Sequence, residues 1–325
     1  MRSKDAGLAP GHEGTGSVSG TSVGIVGTGG VGVACAWSIL LQGLAGQVTL
    51  YNRTPERALG EARDFQHAMP LLPRCEVRGR GLDAIESEDV LVIAVGRHTT
   101  PGVSRLDVLD QNLDVMDATA EAIEAGGLPR IAIVVSSPLD VLTEYLTRRW
   151  AGRGVSVMGS GTSLDTLRFA ERLAHECQIH PRTVHAWVIG EHGDSSVFLF
   201  ESATIGALPL ARFAEQRGFD IGADWRARIE QDVRTAAYAV RDLKGSATHG
   251  IGLAEGGLLR CIGRESEFVI PVSVRVADGL CASLPCALGP DGTGPPLIPT
   301  MSDPERAAWE RSLETLAKVN ARLPN

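Results

Sequence analysis

The sequence predicts an α/β fold: a doubly wound parallel sheet over the first half, then a second, mixed α+β half. Three observations carry this. Val90 to Val95 (VLVIAV) and Ile131 to Val135 (IAIVV) are short, continuously apolar runs, the pattern of strands buried on both faces. Helical stretches separate such runs, which makes the strands parallel and covers both faces of the sheet. Beyond Gly159 the pattern changes, and Phe268 to Val276 alternates as a strand of an antiparallel sheet does.

Residues 1–20 are rich in Gly and Ser and lack an apolar core segment, so they are expected to be a flexible tail and not a secretory signal. The stretch from Ser22 to Arg57 organises the rest of the chain. Val23 to Val26 is of strand type, Val31 to Leu41 is helical, and Val48 to Tyr51 is a second strand. Between the first strand and the helix, GTGGVG sets Gly27, Gly29 and Gly32 in the pattern G-x-G-x-x-G, with Gly30 inside it. This is a βαβ unit of Rossmann type. Gly27 allows the tight turn, Gly29 lets the backbone approach a pyrophosphate, and Gly32 lets helix and strand pack closely. The helix start offers N–H groups and a positive dipole end to the phosphates.

The tip of the second strand bears on the choice of dinucleotide. An NAD site usually has Asp or Glu there to accept from the ribose 2′-OH. Here Asn52, Arg53 and Thr54 occupy it, with Arg57 one helical turn on. A neutral amide followed by guanidinium groups suits a 2′-phosphate, so local chemistry favours NADP (NADPH) over NAD.

The other elements are taken in chain order. Pro55 to His67 is a helix with Pro at an early position, and Cys75 to Val77 a short strand. The Gly96 to Ser104 loop leads into a helix over Leu106 to Ala125, and Val155 to Met158 closes the first half. The domains are therefore set at 21–158, for the dinucleotide, and 159–325, for the substrate. In the second half, helices are predicted over Asp165 to Cys177, Trp225 to Lys244 and Ala247 to Cys261. A strand at Val184 to Ile189 leads into Gly190 to Ser196, and Gly289 to Pro299 is read as a loop. A final helix covers Asp303 to Leu323, with Ser302 as N-cap and Glu305 at the capping-box position.

The chain has 325 residues, 43% of them hydrophobic, which is enough for two packed units. A net charge of −8 argues against nucleic acid as a partner. No apolar run reaches the length of a membrane helix. The six cysteines form no C-x-x-C pair, which suggests reduced thiols, no metal cluster and a cytoplasmic setting.

Three stretches carry chemistry. GEHGDSS, Gly190 to Ser196, holds His192 between small residues at a strand end, where a proton donor has room to reach a cleft. A structural histidine is the competing reading. GTSLDTLRF sets Asp165 and Arg168 three apart on one helix face, as a site pair or as a simple ion pair. In GRHTTPGVSRLD, Arg105 follows a Pro/Gly loop able to close over a ligand.

Together with VSSPLDVLT and SLPCALG, these motifs stand in the order found in the L-lactate/malate dehydrogenase family, which the chain resembles from about Val23 to Leu323. The resemblance implies that His192 is the proton donor and acceptor, oriented by Asp165. It also implies that Arg168 grips the substrate carboxylate and that Arg105 polarises the reacting carbonyl. Such enzymes are homodimers or homotetramers acting on a small 2-oxo or 2-hydroxy acid.

Several positions depart from the family pattern besides Asn52 and Arg53. Ser137 stands where the family has Asn. Thr99 replaces the Gln of lactate enzymes and the Arg of malate enzymes. Ala247 stands where lactate enzymes tend to have Thr. With Thr99, Ser137 and Ala247 lining it, the pocket is expected to be roomier and less charged than a malate site. The expected activity is NADP(H)-dependent reduction of a non-standard 2-oxo acid. Two other readings stay open: an ordinary NAD-dependent malate or L-lactate dehydrogenase, and a catalytically idle NADP-binding protein.

Overall fold

The structure, a computed structural model, describes residues 20–96, 105–263 and 267–324, with backbone alone for 105–107. Six parallel strands form the first part of the sheet. They are β1 (Ser22–Val26), β2 (Gln47–Asn52), β3 (Glu76–Gly81), β4 (Val90–Ile93), β5 (Ile131–Val134) and β6 (Ser156–Gly159), in the spatial order β6-β5-β4-β1-β2-β3. Val23 of β1 pairs with Val48 on one side and Val90 on the other, so the order reverses between β1 and β4. Sheets of this kind bind ligands outside the carboxyl ends of the strands at such a reversal. The apolar runs are β strands because both their faces are covered. Val23 and Ile25 point into one cluster with α1 (Gly30–Gln42), while Ile93 and Val134 point into another with α3 (Arg105–Gly126) and α4 (Leu139–Arg149).

The sheet does not stop at β6. Strands β10 (Phe268–Ala277), β11 (Leu280–Gly289) and β12 (Gly292–Pro296) extend it antiparallel, through Ser273 of β10 opposite Gly159, to nine strands. A second sheet of β7 (Val184–Ile189), β8 (Val197–Ile205) and β9 (Leu208–Pro209) packs on α5 (Ser163–Glu176) and α7 (Ala223–Lys244) around Phe169, Phe198 and Phe200. The two sheets meet where Gly190, just past β7, forms an antiparallel bridge with Ser283 of β11.

Helix α8 (His249–Ile262) belongs to the second half but lies on α1. The close crossing explains two glycines of α8. A Cβ at Gly252 would stand 2.6 Å from the Ala34 backbone, and one at Gly256 would stand 2.1 Å from Ser38 Oγ. Helix α9 (Asp303–Asn320) closes the fold with the expected capping box, Ser302 N–H donating to Glu305 Oε2 at 2.8 Å.

Several elements differ from the sequence reading. β3 runs on to Gly81 because it is an edge strand with charged alternate residues, Arg78 and Arg80, and only Val77 gives it an apolar signal. α2 (Pro55–Ala68) lies close enough to β3 that a Cβ at Gly79 would stand 2.3 Å from the Ala58 carbonyl oxygen. The Gly289 to Pro299 stretch contains β12, an outer strand of the kind that tolerates Pro. Helix α8 starts two residues after Ala247. Helix α4, strands β8, β9 and β11, and α6 (Leu210–Arg217) were not expected. All six cysteines are free thiols, five of them buried. Among the described residues no helix is long and apolar enough to cross a membrane, and no group of ligating side chains could hold a metal.

Candidate active site

The glycine-rich turn has the geometry that a dinucleotide needs. Gly27 has φ of +103°, and a Cβ on it would stand 2.4 Å from the Ala94 carbonyl oxygen. A Cβ on Gly32 would stand 1.9 Å from the Gly27 carbonyl oxygen, so helix and turn approach as closely as backbone allows. Gly29 is different: nothing lies within 4 Å of where its Cβ would be, leaving open space on that side of the turn. Helix α1 starts after Gly29 with no side-chain cap and no acidic residue in its first turn. Its N–H donors are thus left for an anion. A Cβ on Gly30 would meet Thr248 Cγ2 at 3.0 Å, which brings the start of α8 against the same turn. The residues fit a dinucleotide, whose pyrophosphate Gly29, Gly30 and the start of α1 would hold.

At the tip of β2, Asn52 is partly engaged. Its Nδ2 donates to Thr28 Oγ1 at 2.7 Å, and its Oδ1 accepts from the Thr54 N–H at 2.9 Å. One amide N–H remains for a ligand. Arg53, Thr54 and Arg57 are exposed, and among the described residues neither arginine has a side-chain partner.

The predicted His192, Asp165 and Arg168 come together from two elements of the second half. His192 sits in the loop between β7 and β8, and Asp165 and Arg168 lie in the first two turns of α5. Asp165 Oδ2 bonds the His192 Nδ1 at 2.7 Å, while Asp165 Oδ1 accepts from Arg168 Nη1 at 2.9 Å. The i,i+3 ion pair is therefore present, and it is also one side of a three-residue constellation. Burial pushes the Asp165 carboxyl up, but the His192 and Arg168 charges outweigh it and hold the group below the usual carboxylate range. Desolvation lowers the His192 imidazole, but Asp165 first and then Asp140 outweigh it, and the ring titrates above its ordinary value.

The loop that carries His192 is pinned at successive residues. The Gly190 N–H and C=O both bond to Ser283 at 2.9 Å. The Glu191 N–H donates to Ser312 Oγ of α9 at 2.9 Å, and the His192 N–H donates to Asp140 Oδ2 at 2.8 Å. The Glu191 carboxylate accepts from the Ser195 N–H and hydroxyl at 3.0 and 2.6 Å. Asp140, Ser283 and Ser312 carry no signal of their own in the sequence. Asp140 lies inside VSSPLDVLT, a stretch that stands out only by its resemblance to the family.

The other expected site residues are placed less fully. Ser137 is exposed just past β5, and its carbonyl accepts from Asn112 Nδ2 at 2.6 Å. Ala247 is half-buried in the turn before α8. Thr99 and the side chain of Arg105 lie outside the described residues.

A strand order that reverses between β1 and β4, a glycine turn open at Gly29, and a carboxylate–imidazole pair beside an arginine fit a dinucleotide-binding α/β enzyme. Family comparison sharpens the class. Residues 21–154 match the model described as lactate/malate dehydrogenase, NAD binding domain, and residues 162–322 match its alpha/beta C-terminal domain. The chain belongs to the lactate/malate dehydrogenase family. It is 37% identical over 299 residues to the L-lactate dehydrogenase of Thermus aquaticus, covering 90% of this chain and 96% of that protein. It is 33% identical over 307 residues to the L-lactate dehydrogenase of Allorhizobium ampelinum, covering 93% and 99%. Among solved structures, the ligand-bound minor L-lactate dehydrogenase of Enterococcus mundtii superposes with a TM-score of 0.86 at 27% identity, over 94% of this chain and 99% of that one.

Proposed function

We propose that this protein is a nicotinamide-dependent L-2-hydroxy acid dehydrogenase, with NAD(H) and the L-lactate–pyruvate pair as its cofactor and substrates. One observation carries the reaction class: a single buried carboxylate, Asp165, bonds both the His192 ring and the Arg168 guanidinium. Its bond to Nδ1 leaves Nε2 as the nitrogen that exchanges a proton with the substrate oxygen. His192 gives that proton to the forming alkoxide on reduction and takes it back on oxidation. Arg168, with one side committed to Asp165, offers its remaining donors to the substrate carboxylate. The bound nicotinamide supplies or accepts the hydride at the substrate carbon. The names of the relatives support L-lactate, and the description of the matching first-half model supports NAD.

A second reading keeps the reaction and changes the ligands to NADP(H) and a bulkier 2-oxo acid. The tip of β2 favours it: no carboxylate stands there to accept from a ribose hydroxyl, and Arg53 and Arg57 are exposed and unpaired among the described residues. Exposed Ser137, shorter than the family's Asn, favours the larger acid. The test is kcat/KM for NADH and NADPH across a panel of 2-oxo acids that includes pyruvate and oxaloacetate. The first reading expects NADH with pyruvate to lead the panel. NADPH ahead of NADH, with a larger acid ahead of pyruvate, would replace it by the second.

Association into dimers or tetramers belongs to the same proposal. The packed helices α1 and α8 carry exposed Trp37, Leu41 and Leu253, which such association would cover.

A further inference from the structure

We propose that Asp140 is a positioning residue for His192, fixing the backbone of the acid/base loop and giving the imidazolium a second negative charge beside that of Asp165. The proposal rests on His192 being the acid/base group.

The geometry is specific. Asp140 lies in the first turn of α4, three residues beyond Ser137, and its side chain is buried. Each carboxylate oxygen has one bond. Oδ2 accepts from the His192 N–H at 2.8 Å and Oδ1 accepts from Ser273 Oγ of β10 at 2.6 Å. One side chain thereby ties the helix after Ser137 and the β10 extension of the sheet to the histidine itself. The loop's other pins hold Gly190 and Glu191, so Asp140 is the one that acts on the residue carrying the ring.

The charge is as informative as the bonds. Among the described residues no arginine or lysine pairs with Asp140. The titratable groups facing it are His192 and Glu191 from the loop and the Cys281 thiol from β11. Of these, His192 alone can become a cation. A buried carboxylate without an arginine or lysine is costly unless it is hydrogen-bonded or faces a positive charge that the protein uses. Burial raises the Asp140 carboxyl to about 6, against the lowering effect of Ser273, the His192 N–H and the His192 charge. In its ionised form its field favours the protonated imidazole.

Asp140→Asn separates this role from a merely structural one. The Asn carbonyl can still accept from the His192 N–H and its amide can face the Ser273 hydroxyl, so the pin is kept while the charge is lost. The readout is the pH profile of kcat/KM for 2-oxo acid reduction, with the better acid and cofactor of the wild-type panel. Reduction needs protonated His192, so activity falls as pH rises through the imidazole pKa. Losing the Asp140 charge should move that midpoint down by roughly half to one pH unit. Asp140→Ala removes the pin as well and should lower kcat by about 10- to 100-fold with NADH or NADPH binding little changed. If the Ala variant fails to fold, the Asn profile alone decides. An Asn variant with the wild-type midpoint overturns the proposal. His192→Ala with wild-type kcat would instead overturn the acid/base reading on which it rests.

Discussion

Asp165 divides its two oxygens between the His192 ring and the Arg168 guanidinium. In the proposed reaction, one oxygen holds a ring that gains and loses a proton, and the other holds a cation that keeps its charge. His192→Ala should therefore cost about 10²- to 10⁴-fold in kcat, the usual share of general acid/base catalysis, while the Kd for NADH stays near wild type. Arg168→Lys keeps the charge but loses the planar fork. KM for the oxo acid should rise at least tenfold, and an unchanged KM would mean that the carboxylate is held elsewhere. These residues were legible in the sequence because each sits in a short local motif, Asp165 and Arg168 one helical turn apart. Asp140 was not, because its partners are 52 and 133 residues away and neither spacing leaves a local trace.

At the scale of elements, the β1–α1 turn shows how directly a motif can specify geometry. Gly27 and Gly32 both stand where a side chain would collide with backbone, and neither collision can be relieved by a rotamer change. Gly32→Ala should push α1 away from the turn. The expected result is at least a tenfold weaker Kd for NADH, read by fluorescence titration, and a lower Tm. Wild-type values for both would mean that the close approach at Gly32 does not shape the turn. The buried parallel strands were equally legible, since continuous apolar runs between helices leave little choice. The missed elements have common causes. Strand β11 carries Pro285, which argues against a strand, yet Pro271 of β10 lies directly opposite and the ladder runs on either side of the pair. Helix α4 comes directly after Pro138 and has a mixed face: Asp140 and Glu144 are buried, the latter bonded to Arg148, Arg275 and Cys281, so the apolar stripe of a helix is broken.

At the scale of the whole molecule, stability and pH are linked through a buried acid that has no ion-pair partner among the described residues. Glu255 of α8 is fully buried, and neither of its carboxyl oxygens has a hydrogen-bond partner among those residues. Burial pushes it up to about 8, which the neighbouring Ser160 hydroxyl only partly offsets. The folded state thus holds this proton where the unfolded chain, titrating in the ordinary Glu range, has released it. Stability is fully present below the unfolded value and is lost as pH rises through the folded one. Thermal melts at pH 6 and pH 9 should show the wild type losing about 5 °C or more relative to Glu255→Gln, which has no proton to lose. Parallel slopes for the two proteins would show that Glu255 does not govern the alkaline limb. The sheet has a consequence of a different kind. Its strands β10, β11 and β12 come from residues 268–296, yet they pair onto β6, which ends at Gly159. A chain emerging from the ribosome N-terminus first carries β6 as an uncovered edge from the moment Gly159 appears until Ser273 joins it. An open edge invites pairing with other chains. Translation time over that interval then sets how long the β6 edge stays open to other chains.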